Sequence, residues 1–363
     1  MKIGILTFHC AHNYGAVLQC YALQETLSQL GHKVEIIDYR PQYLLDPYNI
    51  FNKKRIISKN PIEFLKNIVK EFLILYIRIK RYNRFNRFII NRLNLSHPIY
   101  DKEIPSNYDV YIMGSDQIWN PQITNGFDDI YFGQFLFTKK NQKYIAYAAS
   151  MEVKSLSSHD AEYYKNNLKN FNAISVREKT LAELLQPLST TAIQSVIDPT
   201  LLINSNIWGN IIKEPKIKNK KYVLVYQVRY NSKVVKIAQK IAKQINGIVI
   251  ELSSSISLKK IMQSKQSVSP EEFLGYIKNA SFVITTSFHG TAFSIIFKRP
   301  FYCIQLNDGN DTRSSSLLNS LGLSNRMLTI DEEPKPNLIE YESVYGLLND
   351  LRKQSLYFLR KSI

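Results

Sequence analysis

The N-terminal stretch KIGILTFHCAHNYGAVLQCYALQETLSQLGHKVEIIDY (Lys2–Tyr39) predicts the fold class of this chain. It begins with the short apolar run KIGILTF, continues with apolar residues at helical spacing as far as Gly31, and ends with a second apolar run, KVEIIDY. Such runs predict buried strands, and a glycine after a periodic segment is typical of a helix end. A strand, a helix and a strand within about 40 residues form a βαβ unit, which requires a parallel sheet. We therefore expect an α/β fold.

The same alternation of strands and helices continues along the chain. Apolar runs recur at YDVYIMG, KYIAYAAS, AISVRE and QSVIDPT in the first half, and at YVLVYQV, GIVIEL, SFVITT and FYCIQL in the second. The polar stretch Asn204–Lys221 separates the halves, and 363 residues exceed what one core usually serves. We predict two open α/β domains, 1–205 and 218–335, with a cleft between them. A terminal helix over 336–363 is expected to pack back on the first domain.

Composition narrows the class of protein further. Hydrophobic residues make up 45% of the chain, which excludes wholesale disorder, and no stretch approaches the roughly 20 apolar residues of a membrane span. The first apolar run is too short for a secretory signal, and Cys10, Cys20 and Cys303 do not make a disulfide framework. We therefore expect a cytoplasmic protein. Its formal charge of +17 indicates anionic partners.

Much of the positive charge lies in one insertion, at about residues 51–95. Between Lys53 and Arg92, twelve Lys or Arg residues stand against only Glu63 and Glu71. Apolar residues recur there at helical spacing, at Leu65, Ile68, Val69, Phe72, Leu73, Tyr76 and Ile79. This pattern predicts one or two amphipathic helices that pack on the first domain with their basic side chains solvated. It also fits a surface that meets anionic lipid headgroups at the inner face of the membrane. Nucleic-acid binding ranks last, because no nucleic-acid motif accompanies the charge.

Ligands of open α/β sheets bind beyond the carboxyl ends of the strands, and four motifs fall there. The first is HCAHNYGAVLQ, between the first strand and the first helix. Asn13, Tyr14 and Gly15 lie where that helix begins. Free backbone amides and the helix dipole make such a position an anion-binding site.

The same motif argues against a cofactor and against a metal. No GxGxxG follows the first strand, so the dinucleotide fingerprint is absent. The spacing of His9, Cys10, His12 and Cys20 matches no familiar zinc pattern. We therefore predict that the protein works without a metal and without a bound cofactor.

The second motif, MGSDQIWNP, follows the strand that ends at Met113. Ser115, Asp116 and Gln117 are polar groups at a strand end, where ligand-binding side chains concentrate, and Trp119 could form the wall of a pocket. The alternative is a simple turn in which Trp119 is a packing anchor.

The third motif, SVRE, places Arg177 at the end of a predicted strand. An arginine suits the bidentate binding of a phosphate or a carboxylate. A single arginine is more often a salt-bridge partner, and Glu178 or Asp198 could supply the acid. Both interpretations of Arg177 stay open at this point.

The fourth motif, TTSFHGT, joins a predicted strand to a predicted helix. Ser287 and His289 lie on the turn, and Gly290 and Thr291 open the helix. Hydroxyls, helix amides and an imidazole thus converge on one place. An anionic substrate that undergoes proton transfer requires these groups. A structural histidine bonded to backbone is the alternative.

These motifs, taken in order, resemble one known family. NYGAVLQCYALQ, MGSDQIWNP, YIAYAAS, SVREKT, VIDPTLLI and TSFHGTAFSIIFKRPF together are similar to the polysaccharide pyruvyl transferases, and the resemblance spans nearly the whole chain. It implies a GT-B-like fold of two Rossmann-like domains. It also implies transfer of a pyruvyl group from phosphoenolpyruvate to a sugar of a cell-surface polysaccharide or its precursor, as a cyclic ketal on two hydroxyls. The acceptor of such an enzyme can be lipid-linked.

The resemblance assigns roles and leaves one position unmatched. His289 and Asp116 are the expected catalytic residues. Members of the family often carry an arginine two residues before the motif histidine, where this chain has Ser287. If that arginine holds the donor, another cation must replace it here, and Arg177 is the first candidate.

Two other functions remain open at the level of the sequence. A nucleotide-sugar glycosyltransferase of the same architecture would use a similar helix–strand–turn order in SPEEFLGYIKNASFVITTSFHG. A non-catalytic module that binds a glycan is the second alternative. A bound nucleotide diphosphate would favour the first, and dispensability of His289 would favour the second.

Overall fold

The structure is a computed structural model, and it describes residues 1–135, 142–153, 155–217, 220–258, 262–306 and 311–363. Within these residues the strands form two separate six-stranded sheets. Every strand pairing in both sheets is parallel. The predicted α/β fold with two Rossmann-like domains is therefore confirmed.

The first domain contains six strands and the helices that connect them. The strands are β1 (Lys2–Leu6), β2 (Lys33–Ile36), β3 (Val110–Met113), β4 (Lys143–Ala149), β5 (Ala173–Val176) and β6 (Ile193–Ser195). The helices are α1 (Tyr14–Gln29), α2 (Gln42–Leu45), α3 (Pro61–Arg92), α4 (Ser158–Asn167), α5 (Lys179–Leu185) and α6 (Ser205–Gly209). The strands lie in the order β2-β1-β3-β4-β5-β6.

The second domain is also built on a six-stranded parallel sheet, with a different strand order. Its strands are β7 (Tyr222–Gln227), β8 (Ile248–Ser253), β9 (Ser264–Lys265), β10 (Phe282–Thr285), β11 (Phe301–Gln305) and β12 (Met327–Thr329). Its helices are α7 (Ser232–Gln244), α8 (Pro270–Lys278), α9 (Phe288–Ile296) and α10 (Thr312–Ser320), and α11 (Tyr341–Ser362) ends the chain. The strands lie in the order β12-β11-β10-β7-β8-β9.

The strand order reverses once in each sheet, and these reversals position the site. In the first sheet the chain leaves β1 toward β2 on one side, and β3 lies on the other side. In the second sheet β7 pairs with β8 on one side and with β10 on the other. Loops that leave the carboxyl ends of such strands diverge and open a crevice between them. The crevices of the two domains meet in one GT-B-like cleft.

Apolar packing between the domains is extensive. The Tyr14 ring at the start of α1 stacks on Phe273 of α8 with centroids 4.4 Å apart. Trp208 is fully buried and contacts Tyr21 of the first domain and Phe293 of the second. Trp208 belongs to the segment predicted as a polar linker, so this part of the linker is a packed helix. Lys218 and Asn219, where the second domain was expected to begin, lie outside the described residues.

The terminal helix contacts both domains. In its first half, the Tyr345 hydroxyl donates to the carbonyl of Ile296, 2.7 Å away. In its second half, the Ser355 hydroxyl accepts from the amide of Ile197, 3.1 Å away. The helix therefore runs across the second domain and ends on the first.

The basic insertion forms one helix of 32 residues, α3, and its packing differs from the expectation. The apolar positions expected to pack are exposed, with Leu65 62%, Phe72 76% and Tyr76 72% accessible. A second face is buried instead, at Ile74, Arg78, Arg81, Phe85, Phe88 and Ile89. Two of these are arginines, so the expectation that all basic side chains are solvated was wrong. Among the described residues, no helix is both long and apolar enough to cross a bilayer.

Candidate active site

The cleft between the domains contains a cavity of about 360 Å³. Both domains line it from the carboxyl ends of their strands. Five of the residues that the sequence singled out lie on its wall, namely Asn13, Asp116, Gln117, Ser287 and His289. Cavities of this size accommodate small-molecule substrates.

Three helices begin at this cavity. The Asn13 side chain accepts a hydrogen bond from the Gly15 amide at the start of α1, at 2.9 Å. The Ser287 hydroxyl accepts from the Gly290 amide at the start of α9, at 3.4 Å. The first turn of α10 contributes Arg313 to the wall. Because the N-terminus of a helix carries a partial positive charge, their convergence favours an anionic ligand.

His289 is held where the two domains meet. Its imidazole packs against the backbone of Gly15, so closely that a Cβ atom on Gly15 would lie 2.0 Å from Nδ1. Position 15 therefore requires glycine. The His289 ring also meets Phe288 edge to face, with centroids 5.1 Å apart. The imidazole is 7% exposed at the edge of the cavity and is fixed by contacts from both domains.

A buried carboxylate lies behind the imidazole. Nε2 of His289 is 3.7 Å from Oδ2 of Asp198, within reach of an ion pair but longer than a hydrogen bond. Among the described residues, Nε2 has no hydrogen-bond partner. Burial by itself raises the pKa of Asp198, but His289, Arg177 and Thr200 together hold that pKa below its usual range. Asp198 therefore remains ionised and places a negative charge behind the imidazole.

Arg177 is a salt-bridge partner, and its side chain does not line the cavity. Its NH1 donates to Asp198 at 2.6 Å and its Nε to Glu178 at 3.1 Å, with 3% of the side chain exposed. The guanidinium also lies over the Phe288 ring, 4.7 Å from its centroid. Arg177 therefore holds Asp198 and Phe288 behind His289.

Two other arginines present their charge to the cavity. Arg229 pairs with Asp311 at 2.7 Å, and Arg313 pairs with Glu152 at 3.2 Å. Nε of Arg313 and Oε1 of Glu152 are buried without a hydrogen-bond partner among the described residues. Buried polar atoms are seldom left unpaired, so these atoms mark a place where a ligand can bind.

The sequence analysis missed both arginines. Arg229 follows strand β7 by two residues, so the rule of strand ends that selected the other motifs applies to it as well. Arg313 follows β11, and part of the connecting segment, residues 307–310, lies outside the described residues. No local signal distinguishes Arg313 from other surface arginines.

Asp116 and its neighbours differ in their access to the cavity. Asp116 and Gln117 line it, and the Asp116 carboxylate accepts from the Gln117 amide at 2.9 Å. Asp116 has a φ of 73°, in the left-handed region that non-glycine residues rarely adopt and that is enriched at functional sites. Ser115 is fully buried and donates to Asp198. Trp119 is 1% exposed and stacks on Phe132, so it is a packing anchor and not a pocket wall.

Other predicted contact residues support the site from behind. The Tyr14 hydroxyl donates to the carbonyl of Val268, 2.9 Å away, and its ring is buried between the domains. Thr291 is fully buried, and its hydroxyl donates to the carbonyl of Ser287. A Cβ on Gly290 would lie 2.2 Å from the Thr285 hydroxyl, so glycine allows α9 to approach β10. Tyr14, Gly15, Gly290 and Thr291 therefore shape the cleft without lining the cavity.

The histidines and cysteines near β1 form ordinary buried contacts. Nε2 of His9 lies 2.7 Å from the Asp38 carboxylate. Burial raises the pKa of the Cys10 thiol to about 12, and burial lowers the pKa of His12 to about 4. Among the residues that the structure describes, no three His, Cys, Asp or Glu residues form a group that could hold a metal ion.

Comparison with known proteins identifies the family. The family model for polysaccharide pyruvyl transferase matches residues 13–308. No curated protein matches the sequence. Among solved structures, the UDP-GlcNAc 2-epimerase from Methanocaldococcus jannaschii is 13% identical with a TM-score of 0.43, over 96% of this chain and 92% of that chain.

Two further structures are similarly remote. The S. aureus MnaA–UDP co-structure is 11% identical with a TM-score of 0.46, over 99% of this chain and 91% of that chain. The E. coli ADP-heptose lps heptosyltransferase II is 11% identical with a TM-score of 0.34, over 98% and 99%. Such values carry no activity across to this chain. The match to the family model is the evidence for the class of enzyme, because it spans both domains and includes the cleft residues from Asn13 to His289. The chain therefore belongs to the polysaccharide pyruvyl transferase family and is a transferase.

Proposed function

We propose that the protein transfers a pyruvyl group from phosphoenolpyruvate to two hydroxyls of a sugar, with formation of a cyclic ketal and release of phosphate. One observation carries this proposal beyond the family. A cavity of about 360 Å³ combines three helix N-termini, two arginines and an imidazole backed by a carboxylate. An anionic donor that undergoes proton transfer requires these groups together.

The donor is bound through Arg229 and Arg313, which replace the family arginine absent at Ser287. Phosphoenolpyruvate has a phosphate and a carboxylate, and the two guanidiniums match two such groups. Glu152 occupies only some of the five N–H donors of Arg313, whose Nε is buried without a hydrogen-bond partner among the described residues. The N-termini of α1 and α9 add the partial positive charge of a helix start to the anion-binding surface.

His289 transfers protons during the reaction. Two hydroxyl protons must leave the sugar; one ends on the methylene carbon, which becomes a methyl group, and the other on the released phosphate. The first sugar oxygen bonds to the central carbon of the donor, and the second displaces the phosphate there. An imidazole near neutral pH takes a proton from a hydroxyl and passes it on, and Asp198 stabilises the charged intermediate form. Asp116 lies on the same cavity and orients the acceptor.

The acceptor is a sugar of a polysaccharide precursor that is presented at a membrane surface. The exposed apolar residues of α3 support this part of the proposal, because Leu65, Phe72, Leu73 and Tyr76 are each more than half exposed. Lysines and arginines flank this apolar face along the same helix. An amphipathic helix of this composition binds an anionic bilayer with its axis parallel to the surface.

The test is phosphate release from phosphoenolpyruvate in the presence of candidate acceptor sugars, with NMR detection of the new ketal methyl group. His289→Ala should lower turnover by about 100- to 10,000-fold, the range of general acid–base catalysis. His97→Ala is the matched control, because His97 is exposed and lies outside the cavity. Normal turnover by folded His289→Ala would refute the catalytic role.

The same assay separates the alternatives. A nucleotide-sugar glycosyltransferase would release a nucleoside diphosphate from a nucleotide sugar and leave phosphoenolpyruvate intact. A glycan-binding module would bind the acceptor, and neither donor would be consumed. Ketal formation would exclude both.

A further inference from the structure

A second cavity, of about 470 Å³, lies next to the cleft cavity. It lies between α3, the β1–α1 loop and the segment that follows β8. Tyr48 lines both cavities, and the adjacent residues His12 and Asn13 line the second and the first, respectively. The two cavities therefore adjoin at Tyr48 and at the β1–α1 loop.

The second cavity is strongly cationic. Among the described residues, Arg55, Lys70, Arg78 and Arg81 line it together with a single carboxylate, Glu71. The described part of the wall therefore carries three more positive than negative charges. Charges that are partly buried are poorly screened, so this surplus favours an anion with more than one negative charge.

Arg78 has a buried donor that the protein leaves unused. Its side chain is 10% exposed, and its NH2 donates to Glu71 at 2.8 Å. Its Nε is buried and has no hydrogen-bond partner among the described residues. Burial and the nearby Arg55 both lower the pKa of Arg78, while Glu71 raises it. A buried cation with an unused donor is destabilising unless a ligand satisfies it.

Arg81 adds charge and rigidity. It donates to the carbonyls of Ser253, Ser254, Gln266 and His12, at 2.9–3.2 Å. Carbonyl oxygens fix the guanidinium without neutralising it. Arg81 also joins both domains to α3, so the cavity is held in shape before any ligand binds.

Helix α3 links the cavity to an apolar surface. Ile74 and Arg78 face the cavity, whereas Phe72, Leu73 and Tyr76 on the same turns are exposed. A ligand seated here would have a sugar in the cleft, an anionic group at Arg78 and an apolar part along the outer face of α3.

We infer that the second cavity binds the diphosphate of the acceptor while the acceptor sugar lies in the cleft. This inference rests on the proposed function, since it extends the acceptor site of that reaction. A diphosphate can be linked to a prenyl chain or to a nucleoside. The apolar face of α3 favours the prenyl chain.

Calorimetric titration of the full-length protein with inorganic pyrophosphate tests the inference without any turnover. The titration is run with and without saturating phosphoenolpyruvate. Arg78→Gln and Arg55→Gln should each weaken pyrophosphate binding by about 10- to 100-fold, the loss expected for a charged hydrogen bond. Arg87→Gln is the matched control, because Arg87 is exposed on the same helix and does not line the cavity.

Three results would overturn the inference: no binding of pyrophosphate to the wild-type protein, equal binding by all three variants, or displacement of pyrophosphate by phosphoenolpyruvate. Arg55→Gln keeps the test valid if Arg78→Gln fails to fold. Titrations with farnesyl diphosphate and with UDP then show which group is linked to the diphosphate. Tighter binding of farnesyl diphosphate indicates a prenyl chain, and tighter binding of UDP indicates a nucleoside. Failure of the proposed function alone would leave pyrophosphate binding intact and abolish only phosphate release from phosphoenolpyruvate.

Discussion

Replacement of Gly15 by alanine is expected to inactivate the enzyme without unfolding it. The new Cβ would lie 2.0 Å from Nδ1, 2.4 Å from Cε1 and 2.6 Å from Cγ of His289. Atoms in van der Waals contact are about 3.5 Å apart, so the imidazole must move by roughly 1 Å or more. A displacement of that size at a reacting group lowers turnover by about 100-fold. Overpacking destabilises by about 1–3 kcal/mol, which most folded domains tolerate.

The assay is phosphate release at saturating substrates, with thermal unfolding followed by circular dichroism. Gly346→Ala in α11 is the matched control, because a Cβ there meets no atom within 4 Å. Alanine in a helix is more favourable than glycine by about 1 kcal/mol, so this control should remain active and become slightly more stable.

A double variant separates a specific effect from a general one. If Gly15→Ala acts by displacing the imidazole, its effect vanishes once the imidazole is removed. Gly15→Ala combined with His289→Ala should therefore be no slower than His289→Ala alone. Turnover of Gly15→Ala within twofold of wild type would refute the reasoning. It would also be refuted if the fold-loss of turnover in the double variant equalled the product of the fold-losses in the two single variants.

Arg313→Gln should raise the KM for phosphoenolpyruvate by about 10- to 100-fold, because it removes a charged hydrogen-bond donor from the cleft. An unchanged KM would remove Arg313 from the donor site. Phe72→Ser should weaken co-sedimentation with anionic phosphatidylglycerol vesicles by about tenfold, since it removes an apolar contact. Leu338→Ser, at another exposed apolar position, should not, and equal effects would exclude α3 as the contact. Burial lowers the pKa of His12 to about 4, so the unfolded chain binds the proton more readily than the folded protein. Stability in urea should therefore fall by about 2 kcal/mol from pH 7 to pH 5. In His12→Gln this difference should shrink, and an unchanged pH dependence would show that other groups cause it.

Sequence periodicity predicted the elements of the fold closely. The predicted runs KVEIIDY, YDVYIMG and SFVITT contain β2, β3 and β10, and the helix predicted to extend as far as Gly31 ends at Gln29. Buried parallel strands are short apolar runs, and helix ends depend on residues within a turn of the end, so both signals are local. The packing of α3 was not predictable in this way. The helix has two apolar faces, and its spacing does not say which one the domains cover.

The expectation that ligand-binding residues follow the carboxyl ends of strands correctly selected several residues of the cavity wall, but it was wrong for others. Asn13, Asp116, Ser287 and His289 all line the cavity. Arg177 also follows a strand, but its charge is used by Asp198 and Glu178. Arg229 and Arg313 also pair with carboxylates but line the cavity, so whether an arginine faces a ligand depends on the residues that fold against it.

The sequence by itself determined the α/β class, the division into two sheets, the turn that carries His289 and the ordered motifs of the family. Only the tertiary structure decided which groups face the ligand. Gly15 and His289 come from different domains, yet the imidazole of His289 can take its position only because Gly15 has no side chain. The pairing of Arg313 with Glu152 and the cavity beside Arg78 likewise join segments that are distant in the chain. The physical reason is that periodicity and capping act over a few residues, whereas burial and charge neutralisation depend on contacts that exist only after the domains have closed on each other.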